Sequence, residues 1–161
     1  EEMWQELKAA DFVEESSVHL AFWPQAHPEW KNDATASRFQ QLQTVRDEVN
    51  KVLEVERREK RIGKSLDAKV HLWMKEGPWA DFLEENLTLW PEILIVSQVD
   101  FHREENNQAV ASEEISGLRI QAVPAVGKQC VRCWNFHEEV GSDNEHPELC
   151  PRCAQVVRQL T

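Results

Sequence analysis

The residues best equipped for chemistry lie near the C-terminal end. They read Cys130-Val-Arg-Cys133 and Cys150-Pro-Arg-Cys153, and they are all the cysteines the chain has. Sixteen residues separate the two Cys-x-x-Cys pairs. Two thiolates three positions apart can grip one cation from a single tight turn. Two such turns complete the tetrahedral four-sulfur shell of a structural Zn2+ site. A pair of disulfides or four free thiols is the alternative. The grouping favours metal, because no cysteine lies outside the cluster and no secretory signal marks an oxidising compartment. One Zn2+ held by Cys130, Cys133, Cys150 and Cys153 is therefore expected, in a short-looped ribbon or knuckle. His137 and His146 in the spacer are read as surface or outer-shell residues, since four sulfurs already fill the shell.

The elements that must position this cluster can be read upstream. Asp33 and Thr35 offer N-cap chemistry for a long helix. Phe39, Leu42, Val45, Val49, Val52 and Val55 recur at three- and four-residue steps and form one apolar stripe. That helix is expected to run to about Arg61 and to stop at Gly63. Leu66, Ala68, Val70 and Leu72 alternate with polar residues and Trp73, which predicts a strand with one buried face. Gly77-Pro78 opens a helix carrying Trp79, Phe82, Leu83, Leu87 and Trp90. Ile93 to Val96, with Val99 and Phe101, reads as a second strand, residues 103–114 as a solvated loop, and Leu118 to Val123 as a third strand. Before all of this, residues 1–12 look like the end of a helix whose partners lie upstream. Ser17 to Pro24 reads as an extended crossing segment. The fold class is α+β: a helical segment over 1–63, a small strand-helix-strand-strand module over 64–127, and a zinc module over 128–161.

Charge restricts the partners. The net charge of −11 argues against a general nucleic-acid binder, whose affinity rests on cations meeting phosphates. The distribution is uneven, however. Residues 38–76 hold ten Lys/Arg against seven Asp/Glu, while residues 77–127 hold two against nine. A local cationic footprint is therefore the form any RNA contact would take. Its candidates are Arg57, Arg58, Lys60, Arg61 and Lys64 at the end of the long helix, with Arg132 and Arg152 inside the cysteine turns. The plainer reading of the helix group is a set of cations suited to a helix C-terminus and paired with nearby glutamates. Trp134, directly after the first pair, either stacks on an unpaired base or covers the small metal core. The core cover is the favoured reading, as it is for most of the seven Trp.

No catalytic constellation stands out. Gly63-Lys64-Ser65 is not a phosphate loop, because position 58 is Arg where that motif needs Gly, and no strand precedes it. His19, His71 and His102 read as packed or solvated histidines. No apolar run approaches the ~20 residues of a membrane span. A cytoplasmic protein is expected, and the start at Glu1-Glu2 reads as though cut from a longer chain.

Three stretches together resemble one family. They are Ser17-Val18-His19-Leu20 with Trp23-Pro24; Val45-Arg46-Asp47-Glu48-Val49-Asn50-Lys51-Val52-Leu53-Glu54 running through Glu59 into Ala68; and the double Cys-x-x-Cys followed by Trp134. The chain is similar to the C-terminal part of bacterial-type isoleucyl-tRNA synthetases over nearly its whole length and in the same order. The resemblance implies the end of an anticodon-binding helical bundle, a small α+β module and a terminal zinc finger. It further implies a role in holding the anticodon side of isoleucine tRNA, alongside the remainder of the parent synthetase chain. The adenylate-forming signatures of the family are absent, so the chain by itself is expected not to be catalytic. The zinc module also resembles that of formamidopyrimidine-DNA glycosylases. That family needs an N-terminal amine nucleophile and a basic cleft, and this acidic chain offers neither a basic cleft nor a start other than Glu1. A zinc-stabilised interaction module without RNA contact is the alternative from another class.

Overall fold

The computed structural model describes residues 1–160. It divides into two compact units, Glu1–Ala36 and Ser37 onward. This division falls inside the long helix, upstream of the 63/64 boundary read from the sequence. The reason is that the helix packs with the strands that follow it.

The first unit holds helix α1 (Glu2–Ala9) and two single 3-10 turns, Val18–Leu20 and Pro28–Trp30. The crossing segment expected over residues 17–24 is not extended throughout. Ser17 accepts the His19 N–H through its side chain and curls the chain into a turn at Val18. None of residues 1–36 is buried, and Phe22 and Trp23 are almost fully exposed. This unit therefore gains little from apolar burial.

In the second unit, α2 (Asp33–Arg58) supplies the apolar stripe. Asn32, and not Thr35, caps its start: the Asn32 Oδ1 accepts the Thr35 N–H at 2.9 Å. The helix stops before Gly63 because Lys60 adopts a left-handed backbone, φ 59°. Around it, the Lys60 N–H meets the Arg57 carbonyl and the Arg61 N–H reaches back to the Glu56 carbonyl. That bond pair closes the helix end in the way glycine usually permits. Lysine there costs about 1–2 kcal/mol of backbone strain.

Strand β1 (Ala68–Trp73) is central. It pairs in parallel with β2 (Gln98–His102) and antiparallel with β4 (Arg119–Pro124), which carries the two-residue edge strand β3 (Val110–Ala111). Ala68, Val70 and Leu72 of β1 and Ile120 and Ala122 of β4 are buried on one face, against Leu42, Val45, Val49, Val52 and Leu53 of α2. Phe39 and Val55, at the margins of the predicted stripe, are exposed.

Between β1 and β2 stand two short helices, α3 (Pro78–Glu85) and α4 (Trp90–Leu94). The strand expected over residues 93–96 is instead the end of α4. Pro91 sets a helical φ in its first turn, and Ile95 caps it in the left-handed region. Helices this short do not persist alone. Fully buried Trp90 holds both in place, with its indole N–H bonded to the Leu83 carbonyl at 2.8 Å.

Glu48, three per cent exposed, is the buried charge of this core. Burial alone would raise its pKa. Bonds from Lys51 Nζ and Ser112 Oγ, each 2.6 Å, and from the main-chain N–H groups of Glu113 and Glu114 outweigh that and hold it at about 2. The folded pKa lies below the unfolded value of 4.5. Its stabilisation is therefore complete above pH 4.5 and is lost as the pH falls towards 2. The shift corresponds to as much as about 3 kcal/mol. Glu48→Gln should destabilise the fold by about 2–3 kcal/mol at pH 7, because it leaves buried donors short of an acceptor. It should also flatten the acid limb between pH 4.5 and 2. Urea denaturation across that range checks both; an unchanged acid limb would show that Glu48 is not what titrates.

Candidate metal centre

The cysteines sit on two turns. The first follows β5 (Lys128–Gln129), which pairs antiparallel with β6 (Phe136–His137). Gly127 begins this ribbon at φ 97°, and a Cβ there would come within 2.4 Å of the His137 backbone, so only glycine fits. The turn is closed by Trp134 N–H to the Cys130 carbonyl, 2.9 Å, and Cys130 N–H to the Asn135 carbonyl, 2.9 Å. The second pair opens helix α5 (Pro151–Leu160), with Pro151 in its first turn and Cys153 facing inward. Main-chain contacts join the turns: Val131 N–H meets the Glu148 carbonyl at 3.2 Å, and Cys150 N–H points at the Cys130 sulfur at 3.3 Å.

All four Sγ atoms lie within 4.8 Å of one another, and Cys133 and Cys150 are 3.8 Å apart. Four thiolates bound to Zn2+ at about 2.3 Å have sulfurs about 3.8 Å apart, so the set fits a closed tetrahedral site. Burial opposes the thiolate form at Cys130, Cys133 and Cys150. At Cys130 it is outweighed by the main-chain N–H groups of Cys133, Cys150 and Arg132, which bring the pKa to about 6. Burial pushes Cys133 up to about 12 and raises Cys150 as well. Loading the full shell therefore needs the charge of the cation itself. When bound, the ion serves as the core of a module whose other buried side chains are few: Val140 and Ala154, with Leu149 packed beside the cysteines.

Residues 127–156 match a family described as "Zinc finger found in FPG and IleRS", and residues 1–72 match "Anticodon-binding domain of tRNA ligase". The chain is 46% identical over 144 residues to an isoleucine–tRNA ligase of Geobacter sulfurreducens, covering 89% of this chain and 16% of that protein. It is 39% identical over 166 residues to the isoleucine–tRNA ligase of Moorella thermoacetica, covering 99% and 17%. A third, from Synechococcus, is 34% identical over 170 residues, covering 98% and 18%.

The chain is homologous to bacterial isoleucine–tRNA ligases. It spans about a sixth of the length of these curated relatives. Its cysteine cluster, within the residues that match the zinc-finger family, fits one structural zinc ion. No described helix is long and apolar enough to cross a membrane.

Within this ligase-like chain, the residues proposed from the sequence for RNA contact fall into two sets. Arg57 is paired with Glu54 and bonded to Ser65. Arg61 is clasped by Glu56 and Glu59. Arg132 donates to the Cys153 sulfur at 3.7 Å and so serves the metal shell. Arg58, Lys60 and Arg152 are exposed and form no ion pair among the described residues. Trp134 does not cover the metal core. It is 59% exposed, held at φ 65° by the first turn, with Lys64 Nζ 5.7 Å from its ring centroid. The sequence offers no signal for this cation–π pair, since seventy residues separate its members.

Two bonding groups fix the ribbon to the sheet. Ser97 Oγ accepts the Phe136 N–H at 2.7 Å while donating to the Leu66 carbonyl at 2.6 Å. The Gln98 side chain exchanges two bonds with the Val126 backbone.

Dialysed into metal-free buffer, the protein should retain close to one tightly held zinc per chain by elemental analysis, and Cys150→Ser should lose it. Hydrogen exchange in that variant, or after chelation, should speed up from about residue 128 onward. The amides of β1, β2 and β4 should stay protected. Full zinc retention in Cys150→Ser would overturn the four-sulfur assignment.

Proposed function

We propose that this chain is the tRNA-binding C-terminal region of an isoleucine–tRNA ligase. It helps hold the anticodon side of isoleucine tRNA while the ATP-dependent joining of isoleucine proceeds elsewhere in the enzyme. Residues 1–63 are the end of the anticodon-binding bundle, 64–127 the α+β module and 128–161 the zinc module. The observation that carries this reading is the exposed Trp134 ring, presented from the metal turn with Lys64 over it. An indole held rigidly beside a cation suits an unpaired base and its phosphate: the ring stacks and the ammonium meets the charge. Arg58, Lys60 and Arg152 are available to extend that footprint. The acidic face of residues 77–127 would turn away from the phosphates.

The pairing of Arg57 and Arg61 with glutamates, and of Arg132 with a thiolate, favours the second reading, a zinc-stabilised interaction module without RNA contact. The two readings part in the full-length ligase. Trp134→Ala should weaken isoleucine tRNA binding about 5- to 150-fold with an unchanged salt slope, since stacking is worth about 1–3 kcal/mol per base. Lys64→Ala with Arg152→Ala should instead reduce the slope of log affinity against log salt by about two units. Adenylate formation should be unchanged in both. Unaltered affinity and slope in both variants would identify the zinc module as a structural cap.

A further inference from the structure

The solvent-side face of the sheet carries a second group of ligating side chains. β1 and β2 run parallel with His71 opposite Asp100 and Trp73 opposite His102. The four side chains therefore project from the same face, opposite the one that buries Val70 and Leu72. His71 Nδ1 lies 3.1 Å from His102 Nε2 and 3.6 Å from Asp100 Oδ2. The ligand atoms of His71, Asp100 and His102 all fall within 4.8 Å of one another. Two imidazole nitrogens bound to one ion at about 2.0–2.1 Å stand about 2.9–3.4 Å apart, and the observed separation lies inside that interval. We propose that His71, Asp100 and His102 form a second divalent-metal site, taking a borderline ion such as Zn2+ or Co2+ with water in its open positions.

Two imidazoles and one carboxylate are a donor set suited to late first-row cations and not to Ca2+ or Mg2+. The site is preorganised. Trp73 stacks on both rings, at 5.3 Å from His71 and 5.1 Å from His102 between centroids, so their orientations are fixed before a cation arrives. It is also reachable, because all three ligands are partly exposed. Burial favours the neutral, ligating form of His71. Glu138 and Glu139 line the same groove as Lys69 and Asp100 and add negative charge at its rim. One feature works against the ion: Lys69 Nζ sits 2.7 Å from Asp100 Oδ2, and its charge competes for that carboxylate. This supplies a directional test that a purely structural histidine stack would not pass.

The zinc-loaded 161-residue chain should be dialysed against micromolar Zn2+ and, separately, Co2+. Two metal ions per chain are expected. The second should be Co2+ whose spectrum lacks thiolate-to-metal charge transfer, which separates it from the cysteine site. His102→Gln and His71→Gln should each weaken the second equivalent more than about tenfold and leave the first in place. Lys69→Gln should tighten it severalfold, by removing the competing cation. In the unaltered chain, Zn2+ should shift the ring resonances of His71 and His102 and leave those of His19 and His27 unmoved. That measurement stands whether or not the variants fold. Stoichiometry fixed at one, a second equivalent that survives both histidine substitutions, unmoved His71 and His102 resonances, or weaker binding in Lys69→Gln would each overturn the proposal.

Discussion

Burial of one face of α2 against β1 and β4 is the constraint on which the second unit depends. The sheet is four strands, and one of these is two residues long, so α2 with the short α3 and α4 must cover its apolar face. Val45, Val49 and Leu53 are fully buried in that contact, as are Val70 and Leu72 opposite. Each is worth about 1.5–3 kcal/mol when removed from water. A wholly apolar interface would let the helix slide or rotate. Glu48 prevents that, because its carboxylate can reach the Ser112–Glu114 turn in only one register. The charge thus contributes position as well as stability, and it ties the edge of the sheet to the middle of the helix.

From that anchored sheet the construction runs outward to the metal turn. The connection is made by Ser97 and Gln98 at the start of β2, which bond to the ribbon at Phe136 and Val126. The metal cluster then stiffens the part of the chain that the apolar core does not reach. Zinc takes the place of a hydrophobic core in a segment too short to build one. Arg132, Trp134 and Arg152 lie on the same two turns and divide the tasks. The first is spent on a sulfur; the other two face outward.

What the sequence made legible was local. Each Cys-x-x-Cys pair lies on one turn, the alternation through Ala68, Val70 and Leu72 in one strand and the stripe from Leu42 to Val52 in one helix, and each of these formed. What was not legible depended on contacts between distant residues or on backbone states that composition conceals. Ile93 to Val96 has strand composition, yet Pro91 and buried Trp90 draw it into a helical turn. Lys60 takes a left-handed position that glycine three residues later was expected to fill. Glu48 carried no mark distinguishing it from the solvated acids around it. His71 and His102 looked like isolated histidines, because the parallel register that brings them together exists only once α3 and α4 have carried the chain back across the sheet.

The uneven charge acquires a physical meaning at this point. At the helix end, Arg57 and Arg61 are held by glutamates two to five residues away, and an arginine so clasped offers phosphate little without breaking its pair. Such pairs are exposed and contribute at most about 1 kcal/mol, so RNA could displace them, but at a cost that lysines without partners do not carry. In the proposed tRNA contact, the footprint would therefore fall to the cations that have no competing carboxylate. Lys64 is the best placed of these, because its companion is an aromatic ring, which leaves the ammonium charge unneutralised. An acidic protein can bind a polyanion in this way if its few uncommitted cations are gathered round one rigid surface.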